Sequence, residues 1–232
     1  MNKRIFIALF LLVVFTDLFA IYQGDHFLQY IVKPMILVSL IIFFAVQHFK
    51  DQTLVENRTT ALFILSGLIF SLAGDILLMF DRDPSFFLFG LSAFLLAHVF
   101  YILAFFTILK KEKTRLDARL FLPVAIYYAL LIYILFPVLG DMRIPVLVYG
   151  LVISIMFVLA IHLTRMIWKQ AGYLMALGAA FFVLSDSLLA FNKFYQPFPL
   201  AGIWIMLTYA AAQFAIVNGA SLYLKDKLKL QI

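Results

Sequence analysis

The stretch Ser66 to Arg82, SGLIFSLAGDILLMFDR, decides how this chain must be read. It is apolar for the length of a helix, apart from one carboxylate, Asp75, before its polar end. The stretch Leu177 to Lys193, LGAAFFVLSDSLLAFNK, repeats it 111 positions later. Gly67 aligns with Gly178, Phe70 with Phe181, Asp75 with Asp186, Leu77 and Leu78 with Leu188 and Leu189, Phe80 with Phe191, and Arg82 with Lys193. A carboxylate deep in a bilayer costs several kcal/mol, so a site or pathway is its default reading. Two of them in matching surroundings suggest two acids serving one place.

The rest of the composition agrees with a bilayer setting. Hydrophobic residues make up 66% of the 232 residues, charged ones only 13%, and the mean hydropathy is +1.07. No soluble fold of this size hides that much apolar surface, so the chain reads as an integral membrane protein. A net charge of +6 could suggest nucleic acid, but the basic residues sit in short loops between apolar runs, and no nucleic-acid partner is implied. The chain holds no cysteine, which removes disulfides, thiol nucleophiles and thiolate metal sites. The first apolar run follows Lys3 and Arg4 but lacks a small-x-small cleavage pattern, and reads as a retained helix.

Eight runs reach the roughly 20 apolar residues that a bilayer requires. They cover about 5–22, 31–49, 60–80, 86–109, 120–139, 144–164, 173–191 and 200–224. Continuous apolar runs argue against a barrel, whose strands alternate. The expected fold is therefore an all-α membrane protein of eight transmembrane helices forming one integral membrane domain over 1–232. If the chain is bacterial, the inner membrane is its expected place. With the N-terminus inside, fourteen Lys and Arg fall on the inner side and four (Lys33, Arg82, Arg143, Lys193) on the outer, which puts both termini in the cytoplasm. The repeat extends beyond the acids: Pro34 falls on Pro145, and one further residue of offset places Gly90 on Gly202. Four helices per half preserve orientation, so a parallel 4+4 duplication with halves 1–112 and 113–232 is expected.

Each acid stands five residues before a phenylalanine, Phe80 or Phe191, taken as the outer end of its helix. At 1.5 Å per residue that is about 7–8 Å below the end in both cases. Ser71 shares a face with Asp75, four residues away. Arg82 and Lys193 follow their acids by seven and make a cationic rim suited to a lipid phosphate. Lys33, just before Pro34, reads equally as a snorkelling interfacial lysine or a phosphate ligand. His98 and Tyr101 share a face of the fourth helix, with His98 somewhat deeper than the acids; packing is the bland alternative. Tyr209 and Gln213, i and i+4 among alanines, could serve close helix packing or the site. Asn192 could be a cap, and Asp17, without a partner in sequence, could simply reach the interface. His26, His48 and His162 fall near loops, where solvation is the ordinary expectation. Metal, nucleotide and serine-hydrolase motifs find no counterpart.

At these residues the chain resembles the YhhN-like lysoplasmalogenase family of multi-pass membrane proteins. The resemblance rests on Lys33-Pro34, SLAGDILL, FLFGLSAFLLAHVFYILAF, GAAFFVLSDSLLAF with Lys193 after it, and LTYAAAQ, in that order from the second helix to the last. It implies hydrolysis of the vinyl-ether bond of a lysoplasmalogen, a lysophospholipid. The products would be a fatty aldehyde and glycerophosphoethanolamine or glycerophosphocholine. No metal or redox cofactor is implied.

Vinyl ethers resist base and yield to acid, because protonating the β-carbon gives an oxocarbenium ion that water captures. Burial and a neighbouring carboxylate both favour a carboxyl that keeps its proton, so paired acids suit this chemistry, as in glycosidases. Asp75 and Asp186 are the expected catalytic pair, without an assignment of which is the acid. His98, Tyr101, Ser71 and Ser185 would orient them or the water. Lys33, Arg82, Asn192 and Lys193 would hold the head group. A proton-coupled transporter of a lipid or small anion is the main alternative, since buried acids on duplicated helices also serve transport. A non-catalytic scaffold is the second.

Overall fold

A computed structural model describes residues 3–49, 57–80 and 84–229. The described residues form eight long helices: α1 (Lys3–Gln23), α2 (His26–His48), α3 (Arg58–Leu78), α4 (Pro84–Lys111), α5 (Phe121–Leu135), α6 (Arg143–Leu163), α7 (Lys169–Ala190) and α8 (Ala201–Lys229). All eight are long and apolar enough to cross a membrane, counting the short 3₁₀ turns that extend α5. Large apolar side chains such as Leu12, Phe15, Tyr133 and Ile144 face outward, as they do where the surroundings are hydrocarbon. The protein is built as a multi-pass membrane protein.

Local chemistry explains the helix ends. Gly24 adopts a left-handed conformation (φ +68°) that stops α1, and the Asp25 side chain accepts the Leu28 N–H at 3.0 Å to start α2. Inside the helices, hydroxyls fold back onto carbonyls four residues earlier, as Thr16 does to Leu12 and Ser154 to Gly150. Such bonds satisfy these hydroxyls in an apolar setting.

Two helix pairs pack most extensively, α3 on α4 and α7 on α8. Small residues make this closeness possible. A Cβ at Gly74 would stand 2.5 Å from the Phe94 ring of α4, and one at Gly178 would stand 2.7 Å from the Ala212 carbonyl oxygen of α8. Gly74 and Asp75 are neighbours, so the close approach to α4 is made beside the acid.

Two expectations about helix ends need correction. α7 does not stop at Phe191; a π-turn (Phe191–Tyr195) carries the helical run on to Tyr195. α3 ends earlier than expected, at Leu78. Asp186 therefore lies nine residues, about 13–14 Å, from the end of its helical run, and Asp75 only three residues from the end of α3. The depth of Asp186 is what lets it meet His98, which sequence spacing had placed deeper than either acid.

Candidate active site

Asp75 and Asp186 both line one cavity of about 700 Å³. Its walls come from α2 (Gln29, Lys33), α3, α7 and α8 (Tyr209), and its mouth from the α1–α2 turn and the residues around Asn192 and Lys193. That volume falls within the roughly 300–1,000 Å³ of small-molecule sites. The lining mixes these few polar groups with Ile21, Leu78, Phe87, Phe94, Leu189 and Met206. Such a lining suits a ligand with an ionic end and a hydrocarbon end.

The two acids have different company. The Tyr209 hydroxyl donates to Asp75 Oδ2 at 2.7 Å, and Lys33 Nζ stands 3.9 Å from Asp75 Oδ1. Behind Tyr209 runs a buried chain one turn deeper: Tyr101 donates to Gln213 Oε1 at 2.7 Å, and Gln213 Nε2 donates to Ser71 Oγ at 3.0 Å. Tyr101, Ser71 and Gln213 thus support the Asp75 side without lining the cavity. Asp186 Oδ2 instead accepts the Tyr149 hydroxyl at 2.5 Å, with His98 Nε2 at 3.8 Å. His98 is fully buried, and neither ring nitrogen has a hydrogen-bond partner among the described residues. The Asp186 side chain is 16% exposed, against 3% for Asp75, so Asp186 presents more of itself to the cavity.

The remaining expected residues fall as follows. Lys193 lies at the mouth with Nζ 5.0 Å from the Phe87 ring centroid, a cation–π contact. Asn192 also lines the mouth, and its Oδ1 faces the Phe198 N–H at 3.4 Å across the following loop. Ser185 touches the cavity, but its hydroxyl donates to the Ile205 carbonyl at 3.0 Å, tying α7 to α8 rather than orienting an acid. Arg82 lies outside the described residues.

Several residues were passed over by sequence reasoning. Tyr149 sits in an apolar run of α6 with nothing nearby to mark it. Asp17 does not reach the interface; it is fully buried, and neither carboxyl oxygen has a hydrogen-bond partner among the described residues. His26 lines the cavity, and His48 and His162 are buried, not solvated. His48 Nε2 pairs with Ser221 Oγ at 3.1 Å, and the Asp117 N–H donates to His162 Nε2 at 2.8 Å.

The sequence pattern of the YhhN family matches residues 28–220, from the start of α2 into α8. The chain belongs to the YhhN family. Curated relatives agree with this placement. Human lysoplasmalogenase TMEM86A is 32% identical over 181 residues, spanning 76% of this chain and 72% of that protein. Human lysoplasmalogenase TMEM86B is 36% identical over 165 residues, 68% of this chain and 63% of that protein. The lysoplasmalogenase of Mycobacterium tuberculosis is 33% identical over 163 residues, 67% and 59%. The chain therefore spans less than two thirds of the latter two relatives. No solved structure matches it. The YhhN match begins at Leu28, so it includes Lys33, both acids, His98, Tyr149 and Tyr209 but leaves out Asp17.

Proposed function

We propose that this protein is a membrane hydrolase that cleaves the vinyl-ether bond of lysoplasmalogens by acid catalysis between Asp186 and Asp75. The observation that carries the reading is a single cavity, ionic at its mouth and apolar along its walls, lined by both acids in a YhhN chain with lysoplasmalogenase relatives. The head-group phosphate lies between Lys33 and Lys193, and Asn192 borders it. The alkenyl chain runs along Phe87, Phe94 and Leu189.

The unlike surroundings of the acids support different roles for them. An ammonium beside a carboxyl favours its ionised form, which makes Asp75, next to Lys33, the anion. Among the described residues Asp186 has no lysine or arginine so close, and it is the donor. Tyr149 occupies Oδ2, so the transferable proton sits on Oδ1, free to face the substrate. Asp186 delivers this proton to the β-carbon of the vinyl ether, leaving an oxocarbenium ion opposite ionised Asp75. Water adds to the α-carbon and gives its proton to Asp75, forming a hemiacetal. Asp75 then protonates the departing glycerol oxygen while Asp186 removes the hemiacetal hydroxyl proton. The C–O bond breaks, aldehyde and glycerophospho-alcohol leave, and both acids return to their starting states.

Two further readings belong here. Both termini are cytoplasmic and the cavity opens on the opposite side, as the bias of Lys and Arg supports. The single domain is a parallel 4+4 duplication. Its support is that Gly67 and Gly178, aligned in sequence, each meet the following helix, at Tyr101 and at Ala212. The Tyr101–Gln213 bond also joins residues one repeat apart.

The deciding experiment is aldehyde release from lysoplasmenyl-ethanolamine and lysoplasmenyl-choline by the purified protein in detergent. Asp186→Asn and Asp75→Asn should each lower kcat by about a hundred-fold or more while the protein stays folded, the scale on which general acid–base groups act. A proton-coupled carrier makes no aldehyde, and near-normal turnover in either variant removes the proposed chemistry.

A further inference from the structure

A second, smaller cavity of about 50 Å³ adjoins the first. Phe87, Phe94 and Leu189, along which the alkenyl chain runs, border both, and so does Asp186, which therefore stands at their junction. Among the described residues, Leu91 of α4, Val146 and Tyr149 of α6 and Ala190 of α7 border only this annex. Asp186 and Ala190, four apart, share a face of α7, as Val146 and Tyr149, three apart, share a face of α6. Its only polar side chains are Asp186 and Tyr149, which are bonded to each other, and a cavity otherwise apolar stays dry. Its back wall is firm, because Val146 packs in a buried cluster with Leu135 of α5 and Leu139. Its outer side is not closed in the same way: Leu91, Ala190 and Phe194 are only half-buried.

The chemistry of a vinyl ether gives this junction a meaning. The β-carbon, which takes the proton, is also the carbon that carries the rest of the hydrocarbon tail. The α-carbon, which takes water, carries the oxygen that leads to the head group. With the phosphate between Lys33 and Lys193 and the β-carbon at Asp186, the tail must leave the acid towards α4 and α6, away from Lys33 on α2. We propose that the annex is the tail subsite, which receives the first few methylenes beyond the β-carbon of an unbranched alkenyl chain. Their seating holds that carbon against the Asp186 carboxyl, and methylenes in place of water leave the attack to water beside Asp75. Leu91, Val146 and Ala190 then determine which tails are accepted. A volume of about 50 Å³ admits only a few groups the size of a methylene or a water, so a straight chain fits and a methyl branch beside the vinyl group does not. The rest of a long tail passes the half-buried outer side into the hydrocarbon of the bilayer. This inference rests on the vinyl-ether reading and deepens it from a lipid class to a tail shape.

Filling the annex and widening it should have opposite effects on specificity. Ala190→Leu fills it. An ethenyl ether has no carbon beyond the β-carbon and puts nothing there, whereas a hexadecenyl ether does. The ratio of kcat/KM for hexadecenyl over ethenyl glycerophosphoethanolamine should therefore fall by about 10- to 200-fold, the worth of a methylene's place in a hydrophobic pocket. Val146→Ala widens the annex. It should raise kcat/KM for an alkenyl chain methylated beside the vinyl group, relative to the straight chain, by about ten-fold.

Steady-state kinetics of the two variants on these substrates is the first test. An unchanged tail ratio in Ala190→Leu, or unchanged discrimination against the branch in Val146→Ala, overturns the proposal. If Ala190→Leu fails to fold, Val146→Ala, which removes atoms instead of adding them, decides alone. The second test needs no cleavage. A saturated ether analogue, 1-O-alkyl-glycerophosphoethanolamine with a diazirine in the tail close to the ether oxygen, is photolysed with the purified wild-type protein, and the adducts are mapped by mass spectrometry. They should fall on Leu91, on Val146 to Tyr149 or on Ala190. Adducts confined to the α2 and α8 walls of the main cavity overturn the tail subsite even where the protein makes aldehyde. Adducts in the annex of a protein that makes no aldehyde keep the tail subsite for a lysophospholipid and remove the vinyl-ether reading.

Discussion

Asp75 and Asp186 are the same residue in nearly the same sequence, yet their neighbours make them chemically unlike. One faces an ammonium and a tyrosine from α8; the other faces a tyrosine from α6 and an imidazole from α4. Tyr149 is the residue whose loss should separate the two roles most clearly. In Tyr149→Phe, Asp186 loses the hydroxyl that reserves Oδ2, and kcat should drop by up to about ten-fold, the worth of one hydrogen bond to a neutral group. KM should change little, since Tyr149 is absent from the head-group end of the cavity. Lys193→Gln should do the reverse, raising KM for the phosphate-bearing substrate with a smaller effect on kcat. Steady-state kinetics on the lysoplasmenyl lipids would read both, and a KM-dominated effect in Tyr149→Phe would contradict the assignment of Asp186. None of this asymmetry was legible in the sequence, where the motifs are aligned and Tyr149 looks like an ordinary membrane tyrosine.

At the scale of elements, α7 is the part on which the site turns. It holds Asp186, meets α8 at Gly178, and continues through the π-turn that brings Asn192 and Lys193 to the mouth. A methyl group at Gly178 would press on backbone, the Ala212 carbonyl and the Ile216 nitrogen, which cannot move aside as a side chain can. Gly178→Ala should therefore cost about 1–3 kcal/mol of stability, the usual range for overpacking, and lower the Tm in detergent. The tie between α5 and α6 at the other end of the bundle makes a separate prediction about pH. The Arg119 N–H and the Arg165 guanidinium hold the Asp117 carboxyl below its usual value of 3.8. A carboxyl depressed on folding stabilises above its unfolded value and loses that contribution as pH falls through the folded one. Proteolysis of the connection around Asp117 should accelerate only below about pH 4, and Asp117→Asn should abolish that acid dependence. Helix positions were readable from hydropathy to within a few residues; the π-turn was not, because nothing in FNKFY separates a π-turn from a helix end.

The whole molecule sets the cavity at one end of the bundle, beside the α1–α2 and α7–α8 connections. Because the chain has no native cysteine, single cysteines can map the two faces directly. Tyr195→Cys, after the π-turn, should react with an impermeant maleimide on intact cells, whereas Leu116→Cys, between α4 and α5, should react only after permeabilisation. The opposite pattern would invert the orientation and turn the cavity towards the cytoplasm. The sequence by itself determined that this is an eight-span helical membrane protein with two costly carboxylates. Hydropathy and buried charge are properties of local stretches, and their transfer energies are felt wherever the stretch packs. Only the tertiary structure decided that Tyr149 meets Asp186, that Tyr209 meets Asp75 from 134 residues away, and that Asp17 is fully buried. Those encounters depend on how each helix is rotated and on the depth at which it ends. Both are outcomes of all eight helices packing together.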